Sequence, residues 1–437
     1  MEEKYKAAIY TLGCRVNFYE SESIAEALIK NGFSVCDFSE KCDVYIINTC
    51  TVTSESDRKS RQMIRRAIKN NPNAKILVCG CYSQVNPNEV KKIDSVDFIC
   101  GTRNKMLIVS KALELVKKDK SLVPETNVID PYSAGFELME ATSQDRTRAF
   151  LKIEDGCNNN CSYCIIPKAR GSVCSKPKED VIDEVKKIVE NGYKEIVLTG
   201  IEIAAYGIDF GYSLIDILEE LEKIDGLYRI RLGSVDPAYL KEGVIDRLSK
   251  LTKTMPHFHL SLQSGTDKTL NNMKRRYNTK MIKRSVSYMR EIIPNVTFGA
   301  DIIAGFPCET DSDHKETLEF IETLELLNSH IFPYSIRPGT EAAKMKEQIS
   351  SEIKEKRCKE IQYIAEVTKK RCIQRFIDNK TELEVLFENY KDGYNIGHTD
   401  NFIYVKVRTD KDICKSIHKV VLKKYDEKEE ITEGELI

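Results

Sequence analysis

Three cysteines stand close together in the segment GCNNNCSYCIIP, where Cys157, Cys161 and Cys164 have the spacing CxxxCxxC. A 4Fe-4S cluster has four irons, so three thiolates leave one iron open to a ligand that is not protein. An open iron can chelate the amino and carboxylate groups of S-adenosylmethionine (SAM), and an electron from the cluster then releases a 5′-deoxyadenosyl radical. A structural zinc site needs a fourth ligand. No further Cys or His lies at a suitable local spacing.

Three other cysteines, Cys14, Cys50 and Cys81, each follow an apolar run, in the texts YTLGC, IINTC and CGC. Each run is typical of a buried strand. Because parallel sheets gather ligands at the carboxyl ends of their strands, these three thiols can converge on one site. A single cysteine is more often a small buried hydrophobe. Cys79 and Cys174 fit either interpretation, since each lies beside a proposed site.

Length and composition indicate a modular globular protein. A chain of 437 residues with 41% apolar and 31% charged residues fits two to four domains. No apolar run approaches the roughly 18 residues that span a bilayer, so we expect a cytoplasmic protein with no membrane partner. In that reducing compartment, fifteen cysteines favour metal ligation over disulfides. The 67 basic and 68 acidic residues nearly cancel, so nucleic-acid binding must depend on local patches.

The order of apolar and helical segments predicts an α/β fold. From the start to about Val116, short strands alternate with helices, which indicates a parallel sheet, and a polar linker follows. From Ala149 the alternation resumes with six strand-and-helix units, which fit an incomplete parallel barrel as well as an open sheet. The last segment has strand-like runs, with turn signals at Gly393 and Gly397, and predicts a small β-barrel.

Several of these texts occur together: LGCRVNFYES, NTCTVTSESDRKSRQ, CGCYSQ, GCNNNCSYCIIPKARG, SLQSGTDKTLNNMKRRY and GFPCET. With the β-rich tail, they resemble the methylthiotransferase family of radical SAM enzymes along nearly the whole chain. The resemblance implies a methylthiotransferase N-terminal domain over residues 1–118, in which Cys14, Cys50 and Cys81 hold an auxiliary 4Fe-4S cluster. A linker over 119–142, a radical SAM core over 143–373 that forms a partial (β/α)6 barrel, and an RNA-binding TRAM β-barrel over 374–437 would follow.

The same resemblance implies a SAM site at the ends of successive core strands. Tyr163, between the last two cysteines, would be an aromatic contact near the adenine, and the strand-end pair Thr199 and Gly200 would meet the SAM amino group. Ser261, Gln263 and Gly305 would contact the ribose and the adenine. Ordinary strand-end glycines would look the same as Gly200 and Gly305.

The texts around Cys14 and Cys50 distinguish branches of the family. GCRVNFYES and NTCTVTS resemble the branch that converts N6-threonylcarbamoyladenosine, 3′ of the tRNA anticodon, to its 2-methylthio derivative. A GCQMN-like text is usual in the branch acting on isopentenyladenosine, and a GCPKN-like text in the branch acting on a ribosomal protein aspartate. Both remain alternatives, as does a non-catalytic RNA-binding iron–sulfur protein. Lys168, Cys79 and Cys174 depart from the usual family text.

A stripe of basic residues offers a candidate RNA contact. Arg58, Arg61 and Arg65 recur at steps of three or four residues, which places them on one face of a helix. A solvated helix face would give the same stripe. We expect the anticodon stem-loop of tRNA as a partner, with an external electron donor and an external sulfur source.

A threonylcarbamoyl group carries a carboxylate, so its pocket should contain a cation or oriented N–H donors. Arg231 in RIRLGS and Arg337 after the last core strand are candidates for that cation, with a surface ion pair as the alternative for each. Arg275 belongs to the run KRR near the expected substrate side of the core, where a solvated turn would look the same.

Overall fold

The computed structural model describes residues 5–120 and 123–437. The first unit contains a sheet in which every strand pair is parallel, with the order β2-β1-β3-β4-β5-β6. Its strands are β1 (Tyr5–Thr11), β2 (Phe33–Val35), β3 (Val44–Thr49), β4 (Lys75–Gly80), β5 (Phe98–Cys100) and β6 (Glu125–Asn127). The parallel α/β sheet predicted from the sequence is therefore confirmed.

Helices cover both faces of this sheet, and two separate apolar clusters form its core. Every residue of β3 and β4 is buried, as expected for central strands of a parallel sheet with both faces covered. The helices are α1 (Arg15–Lys30), α2 (Ser54–Asn70), α3 (Cys81–Val85), α4 (Pro87–Lys91) and α5 (Leu107–Leu115).

The stretch expected to be a linker is not wholly irregular. Its residues Glu125–Asn127 form β6, which pairs with β5 at the edge of the sheet. This strand has only three residues and no apolar alternation in ETN, so periodicity gave no sign of it. Its place depends on the free edge that β5 offers to any extended segment nearby.

The second unit is an incomplete barrel of six parallel strands. Its two sheets have the orders β11-β10-β7 and β12-β13-β14, and they are joined by the isolated bridges Ile230↔Thr254 and Val235↔Leu260. The strands are β7 (Ala149–Lys152), β10 (Glu195–Thr199), β11 (Arg229–Leu232), β12 (His257–Gln263), β13 (Thr297–Ala304) and β14 (Asn328–Pro333), and a short antiparallel pair follows β7, β8 (Glu154–Asp155) with β9 (Cys174–Ser175).

Helices surround this barrel, as the alternating sequence pattern predicts. They are α6 (Ile166–Arg170), α7 (Lys178–Glu190), α8 (Leu214–Leu221), α9 (Glu242–Leu248), α10 (Asp267–Asn272), α11 (Thr279–Ile292), α12 (Asp311–Leu324) and α13 (Ser351–Asp378). The last of them, α13, continues past the expected domain boundary at residue 373. It packs against β14 of this barrel and against the strand Ile417–Asp426 of the next unit.

The C-terminal strands close into a barrel with the order β15-β16-β17-β19-β18, which confirms the small β-barrel expected here. They are β15 (Glu382–Lys391), β16 (Tyr394–Thr399), β17 (Tyr404–Arg408), β18 (Ile417–Asp426) and β19 (Ile431–Leu436). Closure removes exposed strand edges, and Cys372, Ile373 and Phe376 of α13 contribute to the apolar core of this unit.

The C-terminal barrel lies against the amino ends of the strands of the larger barrel. Arg229 at the start of β11 donates to the carbonyl of Glu384 at 2.8 Å, and Thr297 at the start of β13 donates to the carbonyl of Asn401 at 2.6 Å. Phe402 stacks on His257 with ring centroids 4.8 Å apart. One end of the larger barrel is thereby closed, and its carboxyl end faces the first unit.

A group of charged side chains, fully buried, joins the first unit to the larger barrel. Arg170 from α6 bonds to Glu20 of α1 at 2.6 Å and to Asp155 at 3.0 Å. Lys152 of β7 reaches the same two carboxylates at 2.8 and 2.7 Å, and Lys105 also pairs with Glu20. Burial opposes the ionisation of Glu20, but the surrounding cations outweigh it and hold the pKa of this carboxyl well below its usual value.

We predict that Glu20→Gln lowers the free energy of unfolding by about 3–5 kcal/mol, because it leaves three buried cations without their shared carboxylate. The shift of the urea midpoint, followed by far-ultraviolet circular dichroism, measures the effect. Arg284→Met is a matched control, since it removes an exposed ion pair with Glu242 and should change the free energy by about 0.5 kcal/mol or less. Equal shifts in both variants would contradict the prediction.

Candidate iron–sulfur and S-adenosylmethionine site

Cys14, Cys50 and Cys81 meet at one edge of the first sheet. Each follows one of three adjacent strands, β1, β3 and β4, at its carboxyl end. Glycines permit the close approach: Gly13 has φ +104°, and a Cβ there would lie 2.9 Å from the Cys50 sulfur. The convergence expected from the sequence pattern is therefore seen in the fold.

The surroundings of these thiols disfavour the thiolate form in the absence of a bound cation. Burial, followed by the neighbouring Cys81, raises the pKa of Cys50 to about 11. The Cys14 side chain stays accessible to solvent, yet protein surrounds it closely enough that burial raises its pKa, against the lowering effect of Arg170. Arg170 also donates from Nε to the Cys81 sulfur at 3.3 Å. Thiols crowded together in this way favour the thiolate form only when a cation binds them.

Cys157, Cys161 and Cys164 lie on one loop between β8 and α6. Burial raises the pKa of Cys157 and of Cys164 to about 12. Three N–H groups point at the sulfurs: Asn159 N and Ile166 N donate to Cys157 and Cys164 at 3.4 Å each, and Arg275 donates to Cys161 at 3.1 Å. Such hydrogen bonds to sulfur are the contacts that tune iron–sulfur clusters.

The donor sets fit clusters better than single metal ions. Zinc holds thiolates at about 2.3 Å, which brings the sulfurs within about 4 Å of each other. Within residues 5–120 and 123–437, the one group of three ligand atoms that lie within 4.8 Å of one another contains no cysteine. All fifteen cysteines are free thiols. Two sets of three thiols, neither of which belongs to that compact group, therefore suit two 4Fe-4S clusters, each with one iron open to a ligand that is not protein.

That compact group is His259, Asp301 and His330, on the adjacent strands β12, β13 and β14. An Asp301 oxygen lies 3.0 Å from His259 Nε2 and 3.1 Å from His330 Nδ1. Burial opposes the ionisation of Asp301, but the two imidazoles hold the pKa of this carboxyl well below its usual value. The members of this group are about 30 to 70 residues apart and share no motif, so no local spacing in the sequence indicates it.

The residues expected to contact SAM lie at the carboxyl ends of the barrel strands, on the side of the Cys157–Cys164 loop. Gln263, at the end of β12, has φ +64°, a strained conformation for a residue with a side chain. At Gly200 an added Cβ would lie 2.5 Å from a carboxylate oxygen of Glu154. The remaining expected contacts are Tyr163 on the cysteine loop, Thr199 at the end of β10, Ser261 in β12 and Gly305 directly after β13. Their roles as SAM contacts stay predictions.

Two carboxyl groups beside these strand ends have raised pKa values. Burial, followed by Asp236, raises the pKa of Glu202 to about 7, and burial raises that of Glu154 well above its usual value. Glu154 accepts from the backbone N–H of Glu202 at 2.7 Å, and Glu202 accepts from Asn159 on the cysteine loop at 3.2 Å. The site thus has two acids at the point expected to hold the amino group of SAM.

The three arginines of the basic stripe lie along α2, but they have different surroundings. Arg58 is exposed and paired with Glu55 at 2.5 Å, and Arg61 donates to the Tyr82 hydroxyl at 2.9 Å. Arg65 is exposed. The stripe is accessible, and its role in RNA binding stays a prediction.

Each of the remaining arginine candidates already has a carboxylate partner. Arg231 bonds to Glu195 at 2.6 Å, Arg337 to Asp57 at 2.9 Å, and Arg275 to Asp236 at 3.0 Å. Arg231 also donates to two carbonyls of the C-terminal barrel, and Arg337 donates to Thr51 beside Cys50. These bonds position protein segments, and contacts with substrate stay predictions for all three.

A cavity of about 310 Å³ opens inside the larger barrel. Arginine, histidine and aromatic side chains from several elements line it, among them Arg15, Arg148, Phe150, Arg231, His259 and Phe402. Arg15 was not among the candidate residues predicted from the sequence, although it directly follows Cys14. His257 and Asn328, at the starts of β12 and β14, and Phe402 of the C-terminal unit also line the cavity, so it extends from the barrel interior to the amino ends of the strands.

Known families match two parts of the chain. Residues 6–101 match the uncharacterized protein family UPF0004, and residues 151–321 match the radical SAM superfamily. No helix in the part of the chain that the structure describes is both long and apolar enough to cross a membrane.

Curated relatives cover nearly the whole chain. It is 36% identical to the threonylcarbamoyladenosine tRNA methylthiotransferase MtaB of Bacillus subtilis (strain 168), over 95% of this chain and 93% of the relative. The protein of the same name from Aquifex aeolicus (strain VF5) is 37% identical to this chain, over 90% of this chain and 98% of the relative. A tRNA-2-methylthio-N(6)-dimethylallyladenosine synthase from Hydrogenobaculum sp. is 32% identical to this chain, over 93% of this chain and 94% of the relative.

Solved structures share the fold at low sequence identity. The radical SAM methyltransferase TsrM from Kitasatospora setae, with cobalamin and a 4Fe-4S cluster bound, has a TM-score of 0.55 at 15% identity and covers 78% of this chain and 74% of its own. The cobalamin-dependent SAM radical enzyme OxsB has a TM-score of 0.51 at 12% identity, and the match covers 86% of this chain and 61% of OxsB. With the family matches and with relatives 32–37% identical over at least 90% of its length, the chain belongs to the methylthiotransferase family of radical SAM enzymes.

Proposed function

We propose that this chain transfers a methylthio group to C2 of N6-threonylcarbamoyladenosine, 3′ of the anticodon in tRNA. The observation that carries the proposal is the contact of Arg170 with the Cys81 sulfur at 3.3 Å. Arg170 lies at the end of the helix that follows the Cys157–Cys164 loop, so this bond brings the two cysteine sets to one side of the barrel. Transfer of sulfur to an unactivated carbon requires that proximity. The relatives named for this substrate support the choice of nucleoside.

Two clusters and SAM would provide the radical and the transferred group. When bound, one SAM and the cluster on Cys157, Cys161 and Cys164 would supply a 5′-deoxyadenosyl radical, while the cluster on the other three cysteines would hold the sulfur, to which a second SAM would supply the methyl group. The protein holds the reacting groups: Asn159 N and Ile166 N stabilise the sulfurs of their loop, and Gln263 and Thr199 lie where SAM is expected. A C–H bond of adenine is neither acidic nor electrophilic, so acid–base catalysis alone would not break it.

The RNA must bring one base into the barrel, which requires that the base leave its stack. The C-terminal barrel, which we assign as a TRAM domain, and the arginine stripe of α2 are the surfaces that we propose for the anticodon stem-loop. We place the reaction in the cytoplasm, with an external electron donor and sulfur source, because the free state of all fifteen cysteines suits a reducing compartment.

We predict that the triple variant of Cys157, Cys161 and Cys164 to Ala loses about half of the iron after anaerobic reconstitution, because each cysteine set binds one cluster of equal iron content. Iron and sulfide analysis measures the loss. Cys414→Ala is the matched control, since Cys414 lies in the C-terminal barrel segment and should leave the iron content unchanged. Full retention of iron in the triple variant would contradict the assignment.

The triple variant of Cys14, Cys50 and Cys81 to Ala should abolish methylthiolation and still cleave SAM to 5′-deoxyadenosine, because the radical arises at the other cysteine set. Chromatography of the nucleoside products measures both reactions in one sample. Loss of SAM cleavage in a variant that retains half of the iron would show that the two sets do not have separate roles.

The nucleoside assignment predicts a preference between two synthetic anticodon stem-loops that differ only at the target adenosine. The threonylcarbamoyl form should react with a kcat/KM about 10²-fold higher than the isopentenyl form, because a polar site rejects an analogue that leaves it unpaired. Mass spectrometry of digested nucleosides measures the products. Preference for the isopentenyl form would move the chain to the other tRNA branch, and SAM cleavage without any RNA product would favour a different substrate.

A further inference from the structure

The cavity inside the larger barrel lies directly below the expected SAM contacts. Val197 and His259 line it, and each stands two residues before an expected SAM contact, Thr199 on β10 and Ser261 on β12. Two residues along a strand put side chains on the same face about 6–7 Å apart. The cavity is therefore one layer deeper in the barrel than SAM would be.

The same cavity reaches the auxiliary cysteine set through Arg15. This residue begins α1, directly after Cys14, and its side chain lines the cavity. An adenine whose reacting carbon lies between the two cysteine sets would have this cavity beside it. A volume of about 310 Å³ is at the lower end of small-molecule sites, so it suits a substituent of the base better than a whole nucleotide.

Arg15 has an unusual electrostatic position among the arginines of the cavity. Arg148 pairs with Glu388 at 3.1 Å, and Arg231 pairs with Glu195 at 2.6 Å. Arg15 is accessible to solvent, and within the described part of the chain its side chain makes neither a hydrogen bond nor an ion pair. Arg148 and Arg231 lie near the Arg15 guanidinium, so an anion bound to Arg15 would offset the repulsion among these three cations. No carboxylate of the described residues is in contact with Arg15.

The acidic groups around the cavity already have partners of their own. Asp301 lies between His259 and His330, at 3.0 and 3.1 Å. Glu430 binds Lys369 at 2.9 Å, and Glu366 accepts from Gln362 at 3.1 Å. The free cation therefore remains available for a ligand that enters the barrel.

We propose that this cavity is the pocket for the N6 substituent of the target adenosine and that Arg15 binds its carboxylate. The inference rests on the proposed function, which gives the substituent its carboxylate. A guanidinium fork pairs with a carboxylate through two parallel N–H···O bonds, which fixes orientation as well as charge. An uncharged hydrocarbon substituent would leave Arg15 without an anion, so the pocket selects against it.

The test compares two anticodon stem-loops, one with N6-threonylcarbamoyladenosine and one with its methyl ester, which keeps the size of the substituent but removes its charge. With the reconstituted full-length protein, we expect Arg15→Gln to lower kcat/KM for the acid at least about 30-fold and to remove the preference for acid over ester. Arg15→Lys should restore part of that preference, because it restores the charge without the fork.

Arg146→Gln is the matched control, because this neighbouring arginine packs on the rings of Phe18 and Phe150 and does not line the cavity. Anisotropy of labelled stem-loops measures the binding preference independently of turnover, and iron content verifies that the variants contain their clusters.

Equal discrimination of acid and ester by Arg15→Gln and by the unaltered protein would overturn the proposal. Failure of the unaltered protein on the acid would instead overturn the proposed function. The unaltered protein is also compared on the acid and on the ester. If it shows no preference for the acid, the role of Arg15 is overturned as well.

Discussion

The buried guanidinium of Arg170 fixes how the first unit sits on the barrel. Its fully buried charge meets Glu20 from one unit and Asp155 from the other, and Nε donates to the sulfur of Cys81. A buried charge that loses its partner costs several kcal/mol, so these bonds strongly disfavour any sliding of one unit against the other. Both cysteine sets then have fixed positions around one space, which is what a transfer reaction between two clusters requires.

The opposite end of the barrel is closed by the C-terminal unit, and this closure also depends on buried charge. Arg229 and Arg231 donate to carbonyls of that unit, with Glu195 between them as their counter-charge. The module proposed to bind RNA therefore forms part of the cavity wall through Phe402. These contacts join the surface proposed for RNA to the cavity proposed for the base substituent.

Local pattern was enough to predict most of the architecture. Strand-and-helix alternation indicated the parallel sheet, the six barrel units and the closing β-barrel, because burial on two faces or on one face leaves a period in the sequence. Periodicity did not choose between barrel and open sheet, since the bridge Val235↔Leu260 that links the two halves is a long-range pairing. It also missed the edge strand Glu125–Asn127, whose conformation depends on the neighbouring β5.

The sequence by itself determined the two cysteine sets: Cys157, Cys161 and Cys164 because one loop holds all three, and Cys14 and its partners because each ends a buried strand. The arginines were different. The text RIRLGS offered Arg231 as a candidate cation for the substrate, yet Glu195, 36 residues away, already binds it. Arg15 carried no signal except its place after a cysteine. Whether a cation is free for substrate depends on which carboxylates the tertiary structure brings to it, and no local spacing records that.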